Sequence, residues 1–80
     1  MAKEVIYYEH LGAILKAYRC FRKIKAVEIA TILGVSVQQL HKYEKGKDRI
    51  PIDKLERYSN RIDVCVEEIL DWSKKIKTIS

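Results

Sequence analysis

Eighty residues, 48% of them hydrophobic, allow one domain with one modest core and leave no room for a large catalytic cleft. One proline and three glycines disfavour a turn-rich fold of many strands and favour helices. The formal net charge of +5 is unevenly spread: residues 16–49 hold nine basic and three acidic residues, which concentrates positive charge as a phosphate-facing surface requires.

Residues 5–8, reading Val-Ile-Tyr-Tyr, form an apolar patch without a helix start signal. From 9 to 22, Leu11, Ile14, Leu15 and Tyr18 stand at i, i+3, i+4 and i+7, which is one face of a helix. Gly12 inside that helix costs about 1 kcal/mol relative to alanine, so its position predicts a close approach by another helix. Arg22, Lys23 and Lys25 make a basic connection around Ile24, predicted to plug the core between the first two helices.

Residues 26–45 carry two short helical stripes joined at a Gly-Val-Ser turn. Ile29, Ala30 and Leu33 recur at helical spacing, with Val27 and Ile32 beside them. Gly34 then stops the helix, because a residue without a Cβ enters the left-handed cap conformation without steric cost. Ser36 is placed to N-cap a second helix, with Gln39 three residues later able to complete a capping box. Leu40 and Tyr43 give that helix its buried edge. Val37, Gln38, His41, Lys42 and Lys45 are left outward.

Two helices of about two turns joined by a tight turn form the helix-turn-helix layout, whose second member enters the DNA major groove. Ala30, Leu33, Gly34, Val35, Leu40, Tyr43, Glu44 and Gly46 match the pattern of the lambda repressor and Cro family of helix-turn-helix regulators. The wording GVSVQQLHKYEKGKDRIP resembles bacterial members in particular. The family usually has Gln at the start of the first motif helix, where it contacts a phosphate. Here that position is Ala26, which removes that expected contact, and Lys25 beside it is the residue expected to substitute.

Next comes a polar turn, Lys45-Gly46-Lys47-Asp48-Arg49, in which Gly46 supplies a second helix stop. Pro51 suits the first turn of a fourth helix, whose expected face is Ile52, Leu55, Tyr58 and Ile62. Asp63 stands where the family usually has Gly, and aspartate tolerates the left-handed conformation. Residues 64–70 resemble the family's fifth helix, with Glu67 and Glu68 favourably placed in its first turn. The resemblance covers about 11–70. Beyond it Trp72, Ile76 and Ile79 continue an apolar stripe that begins at Ile69, which points either to a partner surface or to folding back over the monomer's own core.

Cys20 and Cys65 lie far apart with no CxxC or Cys/His cluster, the pattern of thiols in a reducing cytosol. No apolar run approaches the ~18 residues of a membrane span, and no charged-then-apolar leader begins the sequence. A soluble, cytoplasmic protein is expected. His10 and His41 have no carboxylate or thiol at catalytic or metal-ligand spacing, which argues against an enzyme.

The expectation is one all-α domain over residues 1–80, a compact five-helix fold with its core over about 11–70 and a helical extension over 71–80. The resemblance implies a sequence-specific transcriptional regulator, a dimeric repressor on a palindromic operator, associated with a bacterial or phage nucleoid. Its partners would be double-stranded DNA and a second copy, with no membrane, cofactor, metal or small-molecule ligand. Docking as in helix-turn-helix complexes assigns Val37, Gln38, His41 and Lys42 to base edges, and Lys25, Ser36, Lys45, Lys47 and Arg49 to phosphates. Gln39 divides between base contact and the capping box. Arg19 and Glu44 match an Arg and a Glu of the family pattern and are expected to pair, while Trp72, Ile76 and Ile79 are assigned to a dimer interface. The alternative function is an antitoxin-type module that binds a toxin protein as well as DNA.

Overall fold

The helix stops read from the sequence are where the chain turns. A computed structural model describes residues 8–79, with side chains from 8 to 72, and builds five helices: α1 (Tyr8–Phe21), α2 (Ala26–Leu33), α3 (Val37–Lys45), α4 (Ile52–Ile62) and α5 (Val66–Ile79). The described residues contain no strand, so the fold is all-α as expected. No helix among them is long and apolar enough to cross a membrane. The apolar patch at 5–7 lies outside the described residues.

Each helix contributes one stripe to a single core. Leu11 and Leu15 come from α1, Ile29, Ala30 and Leu33 from α2, Leu40 and Tyr43 from α3, Leu55, Tyr58 and Ile62 from α4, and Ile69 from α5. Ile24, at 6% exposure, closes the gap between α1 and α2. Two positions differ from the sequence pattern. Ile14 and Tyr18 are half-buried at the margin of the core. Ile52 is 64% exposed, because a helical side chain leans toward the N-terminus and the first residue of a helix therefore leans past its end. Ser59, buried in α4, takes the remaining place on that face.

Gly12 accounts for the contact between α1 and α3. A Cβ there would overlap the carbonyl oxygens of Tyr43 and Glu44, so the two helices are closer than any larger residue permits. Three connections turn through left-handed residues at helix ends: Gly34 (φ 71°), Gly46 (φ 76°) and Asp63 (φ 61°). A fourth, between α1 and α2, does so at Lys23 with φ 58°, a position without a sequence signal for that conformation. There the amides of Lys23 and Ile24 bond back to the Cys20 and Arg19 carbonyls at 3.0 Å each, closing the end of α1.

Candidate nucleic-acid interface

The turn between α2 and α3 is set by local chemistry at both ends. Gly34 directs its amide back to the Ala30 and Thr31 carbonyls, and Ser36 Oγ accepts from the Gln39 backbone N–H at 3.0 Å, so the first orphan amides of α3 are partly satisfied. The Gln39 side chain does not complete a capping box. Its Nε2 donates instead to Asp48 Oδ2 at 3.0 Å, a bond to a carboxylate and therefore stronger than one between neutral groups.

This start fixes which way α3 faces. Leu40, Tyr43 and Glu44 are buried, whereas Gln38, His41, Lys42 and Lys45 are exposed, and their spacing puts them in one stripe. Val37 and Gln39, half-buried, flank that stripe on either side. Val37, expected outward, packs partly on the core, since it sits one turn from Leu40 and two turns from Glu44 on the buried edge. Lys25 and Ser36 are exposed beside α2 and α3, as are Lys47 and Arg49 in the loop that follows. The Arg49 guanidinium lies 5.3 Å from the centroid of the Tyr8 ring, a cation–π distance, so this loop is anchored to the start of α1.

Behind the stripe stands a buried polar network. Arg19 Nε donates to Glu44 Oε2 at 2.8 Å and Nη2 to Oε1 at 3.1 Å, a two-bond clamp between α1 and the end of α3. Arg19 Nη1 also donates to the Ile24 carbonyl at 3.0 Å. The Tyr58 hydroxyl of α4 donates to the same Glu44 oxygen. Arg19 and Glu44 are 7% and 4% exposed, so neither charge relies on water. The hydrogen bond that Arg19 donates to Glu44 outweighs desolvation and raises the Arg19 pKa, which keeps the guanidinium charged. Burial, reinforced by the bond to Glu44, pushes the Tyr58 hydroxyl well above the usual tyrosine range. The sequence marks Tyr58 as a core residue alone. Its periodicity gives no sign that the hydroxyl meets a carboxylate from another helix.

A second interhelical pair, Arg61 Nε to Glu28 Oε2 between α4 and α2, is exposed on both sides and so adds little stability. On the opposite side of α1 an open apolar groove of about 530 Å³ is lined by Ile14, Ala17, Tyr18, Phe21, Arg22 and Trp72. Phe21 is 81% and Trp72 47% exposed, so both leave apolar surface open at this groove. The side chains of Ile76 and Ile79 lie outside those described. Cys20 and Cys65 are both exposed, unpaired thiols. Among the described residues no group of three or more His, Cys, Asp or Glu is placed to hold a metal.

The family model described as helix-turn-helix matches residues 15–69. Two curated relatives are uncharacterized HTH-type transcriptional regulators, one from Sinorhizobium medicae (strain WSM419) and one from Rhizobium meliloti (strain 1021). Each is 30% identical over 57 residues, which are 71% of this chain and 41% of theirs. This chain thus spans about two fifths of the length of the curated relatives it matches. Two solved structures of the clp gene regulator ClgR from Corynebacterium glutamicum also match. The first has a TM-score of 0.84 at 22% identity, covering 96% of this chain and 82% of that one. The second has 0.79 at 23% identity, covering 91% and 95%. At such identities the likeness is one of fold.

Proposed function

We propose a function from one premise: the chain belongs to the helix-turn-helix family. It binds double-stranded DNA sequence-specifically and regulates transcription, acting as a dimeric repressor on a palindromic operator in a bacterial or phage nucleoid. The observation that carries this reading is the exposed stripe of Gln38, His41, Lys42 and Lys45 on α3, a helix whose other side is fixed by the core and by the Arg19–Glu44 clamp. A reading helix has to be rigid behind and polar in front.

In this docking Val37, Gln38, His41 and Lys42 meet base edges. Gln38 matches adenine, Lys42 matches guanine O6 or N7, and the methyl groups of Val37 match a thymine methyl. Lys25, Lys45, Lys47 and Arg49, with the backbone at Ser36, meet phosphates and supply affinity that does not depend on sequence. A homodimer doubles these contacts across a two-fold axis, and Trp72, with Ile76 and Ile79 further along α5, forms its interface. The name of the curated relatives, HTH-type transcriptional regulator, supports the DNA-binding and regulatory part of this reading.

The test is selection of bound duplexes from a randomised DNA pool, followed by binding titrations on the enriched sequence. Enrichment of a two-fold-symmetric site is the expected result. Recovery of unenriched sequences, with equal affinity for all of them, would sink this function.

A further inference from the structure

Gln39 and Asp48 are joined across the outer surface of the motif by the 3.0 Å bond from Gln39 Nε2 to Asp48 Oδ2. They come from different elements. The loop that carries Asp48 is folded back along α3, with the amides of Lys47 and Asp48 bonded to the Lys42 carbonyl at 3.0 and 3.4 Å. Gln39 stands three residues before Lys42 and is therefore its neighbour on the helix surface, at the edge of the exposed stripe. Its own backbone N–H is held by Ser36, and its side chain is turned to Asp48, away from the capping-box role of reaching back to the Ser36 backbone N–H.

Asp48 is the one acidic residue in the run from Lys45 to Arg49, among three cations. A carboxylate there opposes the attraction of that loop for any phosphate backbone. Charge therefore gives it no use on this surface, whereas holding the Gln39 amide does. On the DNA-reading function proposed above, we propose that Asp48 is a positioning residue for base recognition: by accepting one Nε2 proton it fixes the Gln39 amide so that Gln39 reads an adenine.

The chemistry is a matter of counting donors. A glutamine amide has two N–H donors and one carbonyl acceptor. With one N–H given to Asp48, it offers the groove one donor and one acceptor. That set matches adenine N7 and N6–H, and it does not match guanine, which presents two acceptors, N7 and O6. An amide released from Asp48 has both N–H groups to offer and turns freely about its last side-chain torsion. It then accommodates guanine as well. The latch converts a permissive side chain into a selective one.

The test compares the wild-type chain with Gln39→Ala, Asp48→Ala and Asp48→Asn in selections from a randomised duplex pool, with circular dichroism confirming that each variant is folded. The wild type is expected to prefer adenine at one position of the bound site, and Gln39→Ala to lose that preference by about 5- to 150-fold. Asp48→Ala should weaken it by about 2- to 10-fold, the span of one hydrogen bond. Asp48→Asn keeps an acceptor oxygen and should retain the preference. Both Asp48 variants lose a negative charge and should bind every sequence more tightly, so base preference and not affinity reads the latch. An adenine preference unchanged in Asp48→Ala, or independent of Gln39, overturns the assignment while leaving DNA reading intact. A wild-type chain that enriches no sequence overturns the DNA-reading function, and this assignment with it.

Discussion

The Tyr58 hydroxyl donates to Glu44 Oε2 over 2.5 Å, so the end of α3 is held from α4 as well as from α1. The bond has a pH consequence. Burial and the neighbouring carboxylate raise the Tyr58 pKa in the folded chain, whereas in the unfolded chain it stays near the ordinary tyrosine value of about 10. Below that value both states hold the proton and the stabilisation is complete. Above it the unfolded chain releases the proton and the folded chain keeps it, so stability falls as pH rises, by at most about 1.4 kcal/mol per pH unit from this group. Tyr58→Phe removes the titration. Urea midpoints should therefore decline less steeply for Tyr58→Phe than for wild type above pH ~10, although at pH 7 the variant is weaker by about 1–2 kcal/mol through the lost donor. Parallel curves at alkaline pH would contradict the buried bond.

The clamp from α1 carries more. Glu44→Gln keeps the shape of the side chain but leaves the Arg19 charge buried without its counter-ion, and breaking a buried pair in this way costs about 3–5 kcal/mol. That is a large share of a small domain's total stability, so the urea midpoint should drop sharply. Replacing both partners, as in Arg19→Met with Glu44→Leu, should recover much of the loss, because two apolar groups leave no uncompensated charge. A double variant as unstable as the sum of the single changes would mean that Arg19 and Glu44 do not act as a pair.

The end of α1 holds removable strain. Lys23 adopts φ 58°, a conformation that costs an ordinary L-residue about 1–2 kcal/mol. Glycine there relieves the strain but loosens the unfolded chain by about 0.4–1 kcal/mol, so Lys23→Gly should give a small net gain in thermal midpoint. Lys23→Val, β-branched and worse suited to positive φ, should lower it. Lys23 is exposed, so neither change disturbs packing, and equal midpoints for the two variants would show that the backbone at this position carries no strain.

These residues also show what was legible in the sequence. The bounds of α2 and α3 were, because Gly34, Ser36 and Gly46 act within one turn of their own positions, and the apolar spacing placed Leu11, Leu15, Leu33 and Leu40 on inner faces. The left-handed turn at Lys23 was not, since lysine has no preference for it and the fold imposes it from outside. Nor was the partner of the Tyr58 hydroxyl, or the turning of Gln39 toward Asp48, because both bonds join elements whose relative placement no local pattern encodes. Ile52 shows the converse error: helical periodicity marks the side of a helix but not how far along it the core extends.

The exposed apolar side of α1 and α5 bears on oligomeric state. Phe21 and Trp72, both exposed at the groove that Ile14 and Tyr18 help to line, present apolar surface of the kind that marks contact sites. A homodimer through Trp72 predicts a two-protomer species by sedimentation at tens of micromolar, shifted to monomer by Trp72→Ala. A wild-type monomer at that concentration, unchanged by the substitution, would remove this interface.

The docking on DNA proposed above would separate two groups of side chains by what their loss does. In that docking Gln38→Ala or Lys42→Ala would remove a contact that distinguishes one base pair from another, so each should cost about 1–3 kcal/mol on the preferred site and relax preference at one position. Lys47→Ala would remove a charge that the docking places against phosphate. It should weaken binding to all sequences alike and reduce the slope of log affinity against log salt by about one. Titrations on preferred and scrambled duplexes over a salt series measure both effects. The opposite assignment, with Lys47 setting base preference and Gln38 or Lys42 changing salt dependence alone, would require a different element in the groove. The Arg19–Glu44–Tyr58 network would then be bracing a helix that does not read bases.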